Sequence, residues 1–480
     1  MLVHRKRKKA LVFMKKTNGE YRQVSVWYAL SVLIVILILV VGANKIINAP
    51  IEAMFLVSWL IVYPACMRLG YTYQEINESV MESCRDSLGA FMILMSVGAV
   101  ISTWMAAGTV PAAIYYGLSF VDSRNFLLVT FLLNSCVGLL SGTSWGTMGT
   151  IGVAMFTVGT SLGIPSGMTV GAIVSAACMG NFISPMGASS NIVCASCRID
   201  LNFHCKKFSK IVFPAMVISC AYYYYLGVNL SNNSFETAIA NDVRYMLSQH
   251  FEMGFIPFVP IVLLLIFLVS KQPAMFSMLV SAISALVIAV VYQGTEINNT
   301  MDVFWCGYAI ETGNLLLDAA LNRGGVRSML DAGCILLFAS GVIGAFKRVK
   351  ILDAIVTPLV KRVKSTAQLI TTTQLISFAG SLVGTATFAL LMVGSLMLPT
   401  YKKFNLHPVN LSIAVCATSV PLTMLIPWNI SCVYVVTLFD VDVCSFAPHA
   451  VLAYLVPVAI FLCAVLRLGV LSVEDTPEFL

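Results

Sequence analysis

Long apolar runs separated by short polar breaks dominate the chain. They fall at 26–47, 52–69, 88–107, 124–141, 148–162, 167–196, 207–228, 253–270, 274–293, 331–346, 366–383, 388–401, 406–439 and 446–468. A helix needs about 20 apolar residues to cross a bilayer, and most of these runs approach that length. Two pairs predict re-entrant hairpins instead. Runs 124–141 and 148–162 flank the tip Ser141-Gly142-Thr143-Ser144-Trp145-Gly146-Thr147, and runs 366–383 and 388–401 flank Gly384-Thr385-Ala386-Thr387. Backbone so rich in Gly and Thr survives at membrane depth only where protein buries it or where it lines a cavity. Runs 167–196 and 406–439 are long for one crossing, and each carries proline in a polar break, Asn181 to Asn191 around Pro185 and Pro421 to Asn429 around Pro427. Proline removes a backbone donor and clashes with the preceding turn, so both helices are predicted to open there. Secondary transporters use such discontinuous helices to present backbone dipoles to a solute.

The two halves match at an offset of 242 residues. Gly142-Thr143 falls on Gly384-Thr385, Ser184-Pro185 on Ile426-Pro427, and Asp200 on Asp442. Each half supplies five spans, an odd number, so the second half is predicted to lie upside down. The expected fold is an all-α polytopic membrane protein, an inverted-topology repeat of two five-span units, each with a re-entrant hairpin and a broken helix. The boundaries follow: a basic N-terminus at 1–25, a first repeat at 26–228, an external linker at 229–252, a second repeat at 253–470 and a tail at 471–480.

Charge orients this arrangement. The net charge of +7 equals the excess carried by Arg5, Lys6, Arg7, Lys8, Lys9, Lys15 and Lys16. A basic flank before the first apolar run marks the cytoplasmic side. The same rule places Lys206, Lys207, Lys210, Lys271, Lys347, Arg348, Lys350, Lys361, Arg362, Lys364, Lys402 and Lys403 inside, and Asp122, Asp440 and Asp442 outside. Arg124, Arg244, Arg323 and Arg327 run against it. The expectation is a multi-pass plasma-membrane protein with both termini cytoplasmic.

Composition narrows the class. Of 480 residues, 59% are apolar and 11% charged, against about 25% charged in a soluble domain. This excludes a disordered chain, a secreted disulfide scaffold and a nucleic-acid binder, and it argues against a soluble enzyme. Cys194 and Cys197 form a single C-x-x-C without a second pair, and the cysteines in apolar runs read as small core residues. No nucleophile–base pair, phosphate loop or metal cluster is evident, so the chain reads as a non-enzyme without a cofactor. Its expected partners are the lipid bilayer and a small solute or cation. His204, His250 and His449 lie near span ends and read as solvated, Tyr222 to Tyr225 as an interfacial aromatic belt, and Glu75 to Arg85 as an amphipathic surface helix.

Candidate binding groups follow from the tips and breaks. Thr143, Ser144 and Thr147 stand at the first tip, and Thr385 and Thr387 at the second. Asn181, Ser184, Ser189, Ser190 and Asn191 line the first break, with Thr418, Ser419, Trp428 and Asn429 as their partners from the second half. Hydroxyls and amides can serve as ligands there, or pack helices and re-satisfy the opened backbone.

Much of the chain resembles the NhaC family of sodium/proton antiporters. The matching pieces are Gly70-Tyr71-Thr72, Thr103 to Pro111, Tyr115-Tyr116-Gly117, Gly142-Thr143-Ser144-Trp145, Gly149 to Ala154, Gly163-Ile164-Pro165, Arg323-Gly324-Gly325 and Ile426-Pro427-Trp428-Asn429. The resemblance implies a transporter of the elevator type and a homodimer. Several oxygens from carbonyls, hydroxyls and amides can replace the water around sodium, which makes it a candidate coupling ion with Thr143, Ser189, Asn191 and Thr385 as candidate ligands. The chain departs from the family where charge matters. The family's first break carries two aspartates, where this chain has Asn181 and Ala188. Thr385 stands in place of an acid in the second hairpin, and Ala417-Thr418-Ser419 replaces the family's Asp-Ser-Gly. No charged residue occurs from Phe131 to Cys197 or from Thr366 to Tyr401. Proton coupling at membrane depth normally uses Asp, Glu or His. The expected function is therefore transport of a small organic solute, an amino acid or carboxylate, coupled to sodium and without proton exchange. The alternative is a sodium/proton antiporter; a channel is a weaker third reading.

Overall fold

The computed structural model describes residues 24–43, 49–120, 123–185, 187–231, 237–270, 272–312, 318, 321–322, 324–351, 363–383 and 385–473. The basic N-terminal stretch, Lys271, Arg323, Lys361, Arg362, Gly384 and most of the C-terminal tail lie outside these residues. The described chain is helical, with one isolated bridge pairing Leu406 and Ser472. Among the described residues, four helices are long and apolar enough to cross a bilayer unbroken: Tyr73–Ala106, Ser166–Ile183, Leu201–Leu230 and Val326–Arg348. The pair Ile430–Phe439 and Val443–His449, bent by 89°, adds a fifth. This is fewer than the ten spans expected from the apolar runs. Many of the others are apolar but shorter than 18 residues, including Arg124–Leu140, Pro408–Thr423 and Val451–Leu466.

Two compact units divide the chain. The first comprises residues 1–86 and 338–358. Within it, the Trp59 indole N–H donates to the Phe338 carbonyl at 2.9 Å, and the Ser79 hydroxyl to the Gly344 carbonyl at 2.8 Å. Thr72 and Glu75 form a reciprocal capping box, Thr72 N to Glu75 Oε2 at 2.9 Å and Glu75 N to Thr72 Oγ1 at 3.4 Å, which sets the start of Tyr73–Ala106. Arg348 pairs with the same carboxylate at 3.3 Å and lies over the Tyr71 ring. The expected separate surface helix at Glu75 to Arg85 is corrected here. It is the opening of the 34-residue helix Tyr73–Ala106, with Ile76 and Val80 buried.

The second unit comprises residues 87–337 and 359–480 and contains both hairpins and both broken helices. The first hairpin runs out along Ser123–Ser141 and returns through 144–161, the second through Thr366–Val383 and Ala386–Lys403. The element boundaries keep the 242-residue spacing. First arms end at Ser141 and Val383, and return arms at Ser161 and Lys403. The first segments of the broken helices start at Ser166 and Pro408, while the second segments span Ala188–Cys197 and Ile430–Phe439. Both second segments end on a left-handed residue, Arg198 and Asp440. The first return arm differs in containing a π-helical stretch, Met148–Gly152.

The Gly324-Gly325 pair has a steric reason. Both residues sit at φ +88°, and a Cβ on Gly324 would come within 2.5 Å of the Ser102 nitrogen. Their close approach lets Gly325 N–H donate to the Gly98 carbonyl at 2.8 Å, a conformation and contact that glycine alone tolerates at low cost. The Tyr222 to Tyr225 belt is split: Tyr224 and Tyr225 are exposed, but Tyr223 is buried, its hydroxyl bonded to Ser175 Oγ at 2.7 Å and the His449 carbonyl at 2.8 Å. Tyr222 reaches the His449 ring at 2.9 Å. The residues placed in the external linker include a helix, Thr237–His250, whose Arg244 stacks on Tyr115 at 4.8 Å.

Candidate functional site

Each break is bonded to the hairpin of its own half. At the first, the helix stops at Ile183 and resumes at Ala188. Stopping a helix leaves its last carbonyls and the next helix's first N–H groups without intrahelical partners. Asn181 Oδ1 accepts from Ser189 N at 3.2 Å, and the Asn181 carbonyl accepts from the Ser190 hydroxyl at 3.3 Å. Ser184 donates to the Leu139 carbonyl at 2.7 Å, and Ser144 to the Ala177 carbonyl at 2.9 Å. The Asn191 amide donates to the Gly187 carbonyl at 2.8 Å and the Pro185 carbonyl at 3.2 Å.

The second break, 424–429, is tied the same way. Asn429 donates to the Ser381 carbonyl and Trp428 to the Leu382 carbonyl, each at 2.9 Å. Leu139 and Ser381, the acceptors in the two halves, stand 242 residues apart. Asn429 Oδ1 also accepts from Ser431 N at 3.1 Å, capping Ile430–Phe439. The two tip threonines play matching parts as helix caps. Thr143 accepts from Gly146 N at 3.3 Å, and Thr385 from Phe388 N at 3.2 Å.

The halves also interlock. Trp145 at the first tip stacks on Tyr434 of the second broken helix, with centroids 4.8 Å apart and planes 9° apart, and Tyr434 donates to the Trp145 carbonyl at 2.7 Å. Reciprocally, Ser196 of the first broken helix donates to the Leu390 carbonyl of the second hairpin at 3.1 Å. Cys178 Sγ of the first broken helix approaches Met424 Sδ, at the start of the second break, at 3.6 Å.

The candidate residues fall into three groups. Ser144, Thr147, Ser184, Ser189, Ser190, Thr418, Ser419 and Asn429 are buried; Thr143, Asn181, Thr385 and Trp428 are half-buried; Thr387 and Asn191 are exposed. Thr147 bonds back to the Thr143 carbonyl and Thr418 to the Ala414 carbonyl, whereas the Ser419 hydroxyl makes no hydrogen bond among the described residues. Thr418 and Trp428 share the wall of an open, largely apolar cavity of about 640 Å³ with Gln374, Ile426, Pro427 and Tyr454.

Two groups that the sequence reading did not place in the site belong beside it. Tyr434 is one. The other is His204, expected to be solvated but wholly buried: its Nδ1 lies 2.8 Å from Ser412 Oγ, and its ring packs on Phe208. Its position near the start of a long apolar helix hid this, because burial there depends on Ser412, 208 residues away. Asn134 and Thr130 on the first hairpin arm also bury oxygens without a described partner; the run of uncharged polar residues in an apolar arm was the available signal.

Hairpins and broken helices built from apolar sequence are the mark of an integral membrane transporter. Residues 202–468 match the Na+/H+ antiporter family, and the chain belongs to it. It is 30% identical to a malate-2H(+)/Na(+)-lactate antiporter of Bacillus subtilis, over 88% of this chain and 91% of that protein. It is 28% identical to the Na(+)/H(+) antiporter NhaC of Alkalihalophilus pseudofirmus, over 85% and 88%. It is 25% identical to the arginine/ornithine antiporter ArcD of Halobacterium salinarum, over 85% of each. All three are antiporters by name, which supports a transporter rather than an enzyme.

Proposed function

We propose that this protein is a secondary antiporter that exchanges a small organic solute, a carboxylate or amino acid, in a cycle coupled to sodium. The observation that carries the reading is the chemistry of the breaks and tips. The breaks and tips are free of Asp, Glu, Lys and Arg from Phe131 to Cys197, from Thr366 to Tyr401 and from Phe404 to Phe439, rich in hydroxyls and amides, and adjoin an apolar cavity walled by Thr418 and Trp428. An uncharged site does not repel an anion, and an apolar wall suits carbon rather than a bare cation. Relatives named for malate, lactate, arginine and ornithine support an organic solute.

In this reading the two halves are inverted copies, supported by element boundaries that keep one offset and by the reciprocal contacts Trp145–Tyr434 and Ser196–Leu390. The solute path runs between the tips Thr143, Ser144, Thr147, Thr385 and Thr387 and the breaks with Asn181, Ser184, Ser189, Ser190, Asn191, Thr418, Ser419, Trp428 and Asn429. Thr143, Ser189, Asn191 and Thr385 offer oxygens to sodium. The protein works as a dimer in the plasma membrane with both termini cytoplasmic, and one bundle moves against a scaffold.

Proteoliposomes of the full chain test this. Sodium-gradient-driven uptake of one of labelled lactate, malate, arginine or ornithine is the expected result. Uptake of none of them, together with robust sodium-dependent proton efflux reported by an internal pH dye, would overturn it in favour of plain sodium/proton exchange. That second reading is favoured by the relatives named as Na(+)/H(+) antiporters.

A further inference from the structure

We infer that His204 is a proton-binding group of the transport cycle, a role that rests on the antiporter reading above. The ring sits in Leu201–Ser231, wholly buried, between the helix Pro408–Thr423 on one side and the end of Ser166–Ile183 on the other. Ser412 spends its hydroxyl proton on the Val409 carbonyl at 2.9 Å. Its lone pair therefore takes the imidazole Nδ1–H at 2.8 Å. That tautomer leaves Nε2 as a bare basic nitrogen, and this atom makes no hydrogen bond among the described residues.

The surroundings say what a second proton would do. The Phe182 carbonyl faces the ring. It lies one residue from the end of its helix, where carbonyls lack intrahelical partners and the helix dipole favours a cation. Protonation at Nε2 would create an N–H donor for that carbonyl, joining Leu201–Ser231 to the first break. Loss of the proton would release it.

A cation sealed from water is costly, so the proton enters when the crossing helices part and the ring is wet. Affinity that differs between two conformations is what couples a ligand to their exchange.

The titratable and charged neighbours are few. On the ring's own helix and its cap they are Asp200, Cys205, Lys206 and Lys207; from Pro408–Thr423 and its cap, His407 and Cys416; from Ala188–Cys197, Cys194 and Cys197; from Ser166–Ile183, Cys178. Asp200 Oδ1 is engaged by Phe203 N at 2.8 Å. His407 meets the Phe203 ring at 5.3 Å. The second half has no equivalent: Phe446, 242 residues on, is buried in its place. Asn181 and Ala188 stand where the family resemblance implies aspartates, and the imidazole beside the same break is a titratable group of the kind whose unperturbed pKa is about 6.5.

The test uses the full chain in proteoliposomes, with radiolabelled sodium and radiolabelled lactate as probes and equal pH on both sides. Exchange by the unsubstituted protein is expected to change at least about tenfold between pH 5 and 8.5 through one inflection, as one imidazole titrates. His204→Gln is expected to flatten the profile to within about twofold, and Ser412→Ala to shift the midpoint while keeping the inflection. A His204→Gln protein that transports with the original inflection would overturn the proposal. So would an unmoved midpoint in Ser412→Ala, which keeps the proposal open to refutation if His204→Gln fails to fold. If the unsubstituted protein moves neither probe, nor any solute of the wider panel, the antiporter reading fails and takes this one with it. Transport with a flat profile refutes His204 alone.

Discussion

Ser184 donates its hydroxyl proton to the carbonyl of Leu139 at 2.7 Å, so the open turn of the first broken helix is bolted to the arm of the first hairpin. Asn429 makes the matching bond to Ser381 at 2.9 Å and also caps Ile430–Phe439. The two bolts predict unequal losses. Ser184→Ala removes the bond to Leu139, worth about 1 kcal/mol. Asn429→Ala removes a cap as well, raising the cost to about 2–3 kcal/mol. Thermal unfolding in detergent should place the Asn429→Ala midpoint clearly below that of Ser184→Ala. The reverse order would mean that the first break carries more of the fold than its bonds suggest.

The crossing of the first hairpin arm with the first broken helix leaves no room for a side chain. A Cβ on Gly180 would collide with the backbone of Gly138, which cannot yield as a flexible side-chain tip can. Small residues allow this approach of helices in a membrane. Gly180→Ala is expected to abolish a monodisperse peak in size-exclusion chromatography. Gly89→Ala, where nothing lies within 4 Å, should be neutral or stabilising by up to about 1 kcal/mol. Equal behaviour of the two variants would contradict the packing described.

These contacts also show what the sequence could and could not reveal. Pro185, Pro427, Gly142 and Thr385 announce breaks and tips because they act on their own backbone. Proline deletes a donor, glycine turns left-handed, and threonine caps the next helix. Such signals are local, and they placed the hairpins and helix breaks near where the structure has them. Partnerships across the chain leave no local trace. Nothing near Tyr434 says that Trp145, 289 residues away, will stack on it, and nothing near His204 says that Ser412 will seal it. The π-helical stretch Met148–Gly152 was unreadable for the same reason, since one extra residue in a turn alters no hydrophobic period strongly enough to notice.

The Trp145–Tyr434 contact separates stacking from hydrogen bonding. Tyr434→Phe keeps the ring pair and drops only the bond to the Trp145 carbonyl. The expected cost is about 1 kcal/mol, plus a smaller penalty for the carbonyl left behind. Tyr434→Ala loses the stack too and leaves a cavity, at about 3–5 kcal/mol. If the first tip must be held by the second broken helix for transport, exchange rates should fall in the same order. Indistinguishable rates in Phe and Ala variants that both fold would show that the stack is dispensable for the cycle.

Acid should weaken the start of Pro408–Thr423. His407 caps that helix by accepting from Val409 N at 3.1 Å through Nδ1, and a protonated ring has no lone pair to offer there. Burial, and then the nearby Lys207 charge, hold its pKa below the ordinary histidine value. Between the folded and unfolded values the unfolded chain binds more protons, so stability rises with pH in that window. The contribution is complete above about pH 6.5, the ordinary value, and is lost as pH falls through the depressed one. His407→Asn keeps a good cap that does not titrate. Unfolding midpoints measured in detergent from pH 7.5 down to pH 5 should therefore fall more steeply for the native protein than for His407→Asn. Parallel curves would mean that the ring keeps its cap in acid, and would remove Lys207 and burial as controls on this helix.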